Sequence, residues 1–141
     1  MKRFLVVILA LTALLALVAV GADAKKKVKR VSTSTTITFS GTADPYGEFT
    51  NGSFSGKIQS STKCKGNRSV TVQKVGGALV GSSTSSSDGD WTVGSTAPLA
   101  AGQYQATVAK KKYKKKKKLP DGTFKKKKTV CKQGTATITI P

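Results

Sequence analysis

After the first two dozen residues, apolar side chains alternate with polar ones and do not recur at helical spacing. Ile37 and Phe39 alternate with threonine and serine, and Phe54 and Ile58 continue with a parity that reaches Cys64. The same alternation returns at Val70 and Val72, at Trp91 and Val93, at Tyr104, Ala106 and Val108, and at Ala136, Ile138 and Ile140. Successive side chains of a strand point to opposite faces, so each stretch predicts a strand with one buried face. Turn-forming residues separate them: Asp44-Pro45-Tyr46-Gly47, Lys65-Gly66-Asn67, Gly76-Gly77, Ser87-Asp88-Gly89-Asp90, Ala101-Gly102 and Pro120-Asp121-Gly122. About seven or eight short strands in about 110 residues predict an all-β fold, a small antiparallel β-sandwich. No stretch beyond residue 24 predicts a helix.

The opening segment breaks the pattern. Met1-Lys2-Arg3 precedes an apolar run from Phe4 to Val20, broken only by Thr12, and Ala22-Asp23-Ala24 follows. This is the layout of a secretory signal peptide over residues 1–24, with small residues where a peptidase would cut after Ala24. The expected working protein starts at Lys25, and its expected location is secreted or at the cell surface. The competing reading is an uncleaved signal anchor, because an apolar stretch of 17 residues approaches the roughly 20 that span a bilayer. No cysteine stands at the cleavage site, which argues against a lipid-modified form. Residues 25–34, lysine-rich and then rich in serine and threonine, predict a tether outside the core. The sandwich is expected over 35–141 as one domain, and as a monomer.

Export gives the two cysteines their meaning. Cys64 and Cys131 are the only pair in the chain, and an even pair in an oxidising compartment predicts one structural disulfide. It would close a loop of about 68 residues, for which chain entropy gives about 4 kcal/mol. Zinc fits poorly, since the chain has no histidine and no further cysteine.

Ser86-Ser87-Asp88-Gly89-Asp90-Trp91-Thr92-Val93, followed by Pro98-Leu99-Ala100-Ala101-Gly102-Gln103-Tyr104-Gln105-Ala106-Thr107-Val108, resembles a unit of the carboxypeptidase regulatory-like domains. In these prealbumin-like or transthyretin-like sandwiches, an Asp-Gly turn and an aromatic residue enter one strand, and Pro-Leu-x-x-Gly-x-Tyr enters the next. Arg68-Ser69-Val70-Thr71-Val72 and Leu79-Val80-Gly81 occupy the place of that family's central strands. The resemblance runs roughly from Thr36 to Val108, with Thr135 to Pro141 as a last strand. It implies a non-catalytic, immunoglobulin-like sandwich in which Asp88, Gly89, Trp91, Gly102 and Tyr104 are turn and core positions. The cysteine pair and the lysine-rich insertion depart from the family's pattern. The residues themselves point the same way: Asp-Gly permits a tight turn, and Trp91 and Tyr104 are large rings suited to anchor a core.

Composition restricts the chemistry further. With no histidine, the chain offers no Ser-His-Asp, Cys-His or histidine-metal arrangement. Beyond residue 24 the acids are Asp44, Glu48, Asp88, Asp90 and Asp121, mostly in turns. Asp44 with Glu48 as a carboxylate pair, or Asp88 with Asp90 as a calcium site, are the sharpest alternatives to plain turn roles, and two carboxylates are few for calcium. No phosphate-cradling glycine loop is present. The expectation is a protein that is not an enzyme and carries no cofactor or metal. Asn51-Gly52-Ser53 and Asn67-Arg68-Ser69 fit the glycosylation sequon, which matters only in a eukaryotic secretory pathway.

Charge is the dominant property that remains. The chain carries 25 basic and 6 acidic residues, net +19, and beyond residue 24 only Arg30 and Arg68 are arginines. Twelve lysines concentrate in residues 110–128 as two tracts. The first holds Lys110, Lys111, Lys112, Lys114, Lys115, Lys116, Lys117 and Lys118, and the second Lys125, Lys126, Lys127 and Lys128. Leu119-Pro120-Asp121-Gly122-Thr123 between them predicts a hairpin turn, so the tracts face each other across a ribbon. Lysines at both parities cannot all enter a core, so the ribbon is expected to project or stay mobile, with a bulge reconciling Val108 with Tyr113. The bland reading is a solvated, self-repelling loop. The functional reading is attraction to an anionic polymer or surface: a cell-wall phosphate polymer, acidic polysaccharide, anionic lipid or extracellular nucleic acid. Sequence-specific nucleic-acid reading is disfavoured, because arginine is scarce and only Tyr113 and Phe124 interrupt the tracts.

Overall fold

The computed structural model describes residues 28–141; the expected signal peptide and residues 25–27 of the expected tether lie outside the described residues. The described chain is an all-β sandwich with one disulfide. Its strands are β1 (Lys29–Val31), β2 (Ser34–Thr35), β3 (Thr38–Ala43), β4 (Phe49–Gln59), β5 (Ser69–Lys74), β6 (Leu79–Thr84), β7 (Asp90–Gly94), β8 (Gly102–Val108), β9 (Lys111–Lys118), β10 (Phe124–Cys131) and β11 (Gly134–Ile140). One helical turn, α1 (Thr62–Lys65), interrupts them.

One sheet has the order β11-β8-β5-β6. In the other, β2 and β3 pair with successive stretches of β4, and β7 pairs with β4 at residues that also face β3, so β7 holds the opposite edge. The inward residues are those of the alternating pattern: Phe54 and Ile58 from β4, Val70 and Val72 from β5, Trp91 and Val93 from β7, Tyr104, Ala106 and Val108 from β8, and Ile140 from β11. Ile37, Phe39 and Ile138 pack against this cluster, and Phe39 and Tyr104 both stack on Phe54.

Trp91 is 3% exposed, and its indole N–H donates to Thr35 Oγ1 at 3.0 Å. Tyr104 is 2% exposed, and its hydroxyl donates to the Ala100 carbonyl at 2.7 Å. Both rings are thus buried with their polar ends satisfied. Gly89, in the Asp-Gly turn before Trp91, has φ +92, and a Cβ there would lie 2.8 Å from the Ile58 carbonyl oxygen. Only glycine fits that corner.

Three expectations need correction. The expected tether over 25–34 is not free chain where it is described: Lys29–Val31 form β1, parallel to β10, and Ser34 opens β2 (Ser34–Thr35) against β4. β1 covers the outer edge of β10 at Thr129, Val130 and Cys131, at the base of the ribbon, while Lys29 and Arg30 keep their side chains in solvent. The chain also makes one helical turn, because it must cross from β4 in one sheet to β5 in the other, and α1 turns Cys64 inward on the way. Finally, β9 and β10 pair in unbroken register with no bulge. The change of parity between Val108 and Tyr113 occurs instead at Ala109-Lys110, between β8 and β9.

Candidate anion-binding ribbon

β8 and β11 form one end of a long hairpin and β9 and β10 the other, the last pair of the first being Val108 with Gly134 and the first pair of the second Lys111 with Cys131. Ala109-Lys110 and Lys132-Gln133 intervene, and there the ladder is interrupted. Backbone carbonyls freed by such an interruption must find other donors. Arg68 supplies them. Its Nε donates to the Ala109 carbonyl at 3.0 Å, and Nη2 donates to the same oxygen and to the Lys132 carbonyl at 2.9 Å. Nη1 donates to the Cys64 carbonyl at 2.7 Å and to Thr33 Oγ1 at 3.4 Å.

Arg68 is 1% exposed, and every one of these acceptors is neutral. Desolvation by burial lowers its pKa from the ordinary arginine value, and Tyr113 nearby acts in the opposite direction. The planar fork is suited to this role because it serves several acceptors at fixed angles while remaining charged. Lys111, half-buried beside it, donates its ammonium to the Asn67 carbonyl and lies 5.3 Å from the centre of the Tyr113 ring. The Cys64–Cys131 disulfide, with Cα atoms 5.6 Å apart, ties the end of β10 to α1. The ribbon is therefore fastened to the sandwich by a covalent bond, by a buried guanidinium and by β1.

Beyond that base the ribbon is lysine on both strands. Lys114 faces Lys128, Lys115 faces Lys127, Lys116 faces Lys126, and Lys117 faces Lys125. All eight are exposed, as are Lys110, Lys112 and Lys118. Directly opposed residues of an antiparallel pair stand about 5 Å apart at Cβ, and like charges so placed are destabilising. Two unit charges about 6 Å apart in water repel by roughly 0.7 kcal/mol, less in salt. The turn at the far end is held by Asp121, whose carboxylate accepts from the Thr123 amide at 2.9 Å and hydroxyl at 2.7 Å. These bonds to Thr123 hold its carboxyl below the usual carboxylate range. Among the described residues the one ion pair is Lys57 with Asp90 at 3.2 Å, on the sandwich. The ribbon lysines have no carboxylate partner among the described residues.

The other candidate groups sit away from the ribbon. Asp44 accepts from the Tyr46 and Glu48 amides at 2.9 and 2.7 Å, shaping the β3–β4 turn. Asp90 is engaged by Lys57, and Asp88 lies exposed in the turn before β7. Asn51 and Asn67 are exposed and have left-handed backbones, with φ 54 and 52.

Arg68 was the residue that composition alone passed over. Its signal was present: it lies two and four residues before Val70 and Val72, on the inward parity of β5. An arginine on a buried face of a strand asks for acceptors.

No protein-family model, curated protein or solved structure matches the chain.

Proposed function

We propose that this is an exported, non-catalytic β-sandwich protein that binds anionic polymers or surfaces through its lysine ribbon. The observation that carries the reading is the set of four directly opposed lysine pairs, exposed and without carboxylate partners among the described residues. Such an array holds a dense layer of counter-anions, and a polyanion that displaces them gains the entropy of their release. The anchoring at the base supports the same reading. A loop serving only as solvated charge has no need of a disulfide, a buried guanidinium and a third strand to hold its direction.

The second reading is a passive structural module resembling a carboxypeptidase regulatory-like domain, with the hairpin as solvated surface. It is supported by Gly89 and Gly102 at positive φ and by Trp91 and Tyr104 buried in the core. Chromatography on immobilised heparin separates the two. Retention to a salt concentration well above that of a globular protein of equal net charge supports the binding reading, because clustering of the charge and not its total then decides. Co-elution with that control supports the passive module.

A further inference from the structure

The ribbon's register says more than that it is basic. Alternate residues of a strand project to opposite faces, and directly opposed residues share a face. Lys115, Lys117, Lys125 and Lys127 therefore crowd one face, and Lys114, Lys116, Lys126 and Lys128 the other. The two sets are equal in number and equally exposed, and neither face is covered by the sandwich at these positions. Along each strand, lysines of one face repeat about every 7 Å, with a partner about 5 Å across. Each face is a short double row of ammonium groups.

A flat anionic membrane can lie against only one of these rows. The ammonium groups of the far face then stand more than about 8 Å from the plane, beyond the screening length at physiological salt. Linear, flexible polyanions are not so restricted, since one strand can run along each face.

We infer that the ribbon is a two-sided clamp for linear polyphosphate-type polyanions, holding one strand on each face and so bridging two of them. The inference rests on the polyanion-binding reading and chooses its ligand class: a linear phosphate polymer in preference to a lipid surface. Two strands held by one rigid ribbon make a crosslink, and at high protein coverage crosslinks condense the polymer into a network.

The test uses long-chain inorganic polyphosphate, one sample biotinylated on beads and a second fluorescent in solution, with the full exported protein. Two variants each clear one face of its exposed lysines: Lys115→Ser, Lys117→Ser, Lys125→Ser and Lys127→Ser in the first, and Lys114→Ser, Lys116→Ser, Lys126→Ser and Lys128→Ser in the second together with Lys112→Ser and Lys118→Ser, which share that face opposite Val130 and Phe124. Wild-type protein is expected to carry fluorescent polymer onto the beads. Each variant is expected to bind single polymer with the salt slope of the one face it keeps, and to lose bridging by about tenfold or more. Lysine-to-arginine replacement on either face should keep bridging, and an intact disulfide by mass confirms that each variant has folded. On phosphatidylcholine–phosphatidylserine vesicles, either one-face variant should stay within about threefold of wild type. Bridging by a one-face variant at the wild-type level would overturn the inference, as would tight wild-type binding without bridging, or equal losses on vesicles and polymer. Wild-type protein that does not bind polyphosphate at all would instead remove the polyanion reading, and this inference with it.

Discussion

Arg68 Nη2 lies 2.9 Å from the carbonyl oxygen of Lys132, 64 residues further along the chain. With the contacts to Ala109, it closes the gap where the hairpin of β8 and β11 gives way to the lysine ribbon. Replacing it with alanine leaves the part-buried carbonyls of Ala109 and Lys132 and the buried carbonyl of Cys64 without their donor, at a cost of about 3 to 5 kcal/mol. Arg68→Lys keeps the charge but cannot serve the same acceptors, and should recover less than about half of that loss. Denaturant unfolding of the two variants measures both effects, and amide exchange should accelerate first in β9 and β10. An Arg68→Ala protein within about 0.5 kcal/mol of wild type would contradict this role.

Trp91 makes a second, independent test of the sandwich. Truncation to alanine removes a buried ring at the β4–β7 pairing and the donor to Thr35 Oγ1, which keeps only its own bond to the Thr36 carbonyl, with an expected loss of about 3 to 5 kcal/mol. Gly56→Ala should be comparably harmful, because a Cβ at that position would meet the Thr36 carbonyl oxygen at 2.0 Å and the Trp91 ring at 2.7 Å. Thermal unfolding of the two variants, read by circular dichroism, checks the pair. A stable Trp91→Ala protein that has lost ligand binding would make the ring a contact residue instead of a core anchor.

The Tyr104 hydroxyl predicts a pH dependence. Burial raises its pKa above the ordinary value of 10.0. A raised acid in the folded state means that its contribution is complete below the unfolded value and is lost as pH rises through the folded one. Wild type should therefore exceed Tyr104→Phe by about 1 kcal/mol near neutrality, the worth of its bond to Ala100. The margin should shrink above pH 10.0, the unfolded value. Comparing the two proteins cancels the effect of alkali on every group they share. A margin that stays constant into strong alkali would contradict the assignment.

The Cys64–Cys131 bond acts on the ribbon and the sandwich together. Replacing both cysteines with serine should cost about 2 to 4 kcal/mol, since the bridge restrains a long loop in the unfolded chain. Intact mass with and without reduction reports the bond in protein isolated without reductant. Two alkylatable thiols in native material would contradict it.

Much of this architecture is legible in the chain because alternation is a local property. Val70 and Val72, Trp91 and Val93, and Tyr104 to Val108 declare their inward faces by spacing alone, and Pro120-Asp121-Gly122 declares the hairpin. β1 and β2 were not legible, being three and two residues long with no alternation of their own. They exist because β10 and β4 offer edges to them, which is tertiary information. The role of Arg68 was half legible: parity places it inward, but besides nearby Cys64 its acceptors come from three distant stretches, at Thr33, Ala109 and Lys132, that only the fold assembles. For the ribbon, the two lysine tracts are visible in the sequence, whereas their opposition in pairs depends on a register set by a turn of defined length.

The central claim is that the paired lysines of β9 and β10 make a polyanion site, and the salt dependence of binding tests it most directly. If about six lysines engage phosphates at once, the logarithm of affinity for polyphosphate should fall against the logarithm of salt with a slope near −4 to −5. Serine and threonine in place of the lysines at 114–118 and 125–128 should flatten that slope towards zero. The sandwich should stay as stable as wild type or become slightly steadier, because the opposed charges are gone. A wild-type slope matched by the substituted protein, or no wild-type binding at low salt, would contradict the claim and leave the ribbon as solvated surface.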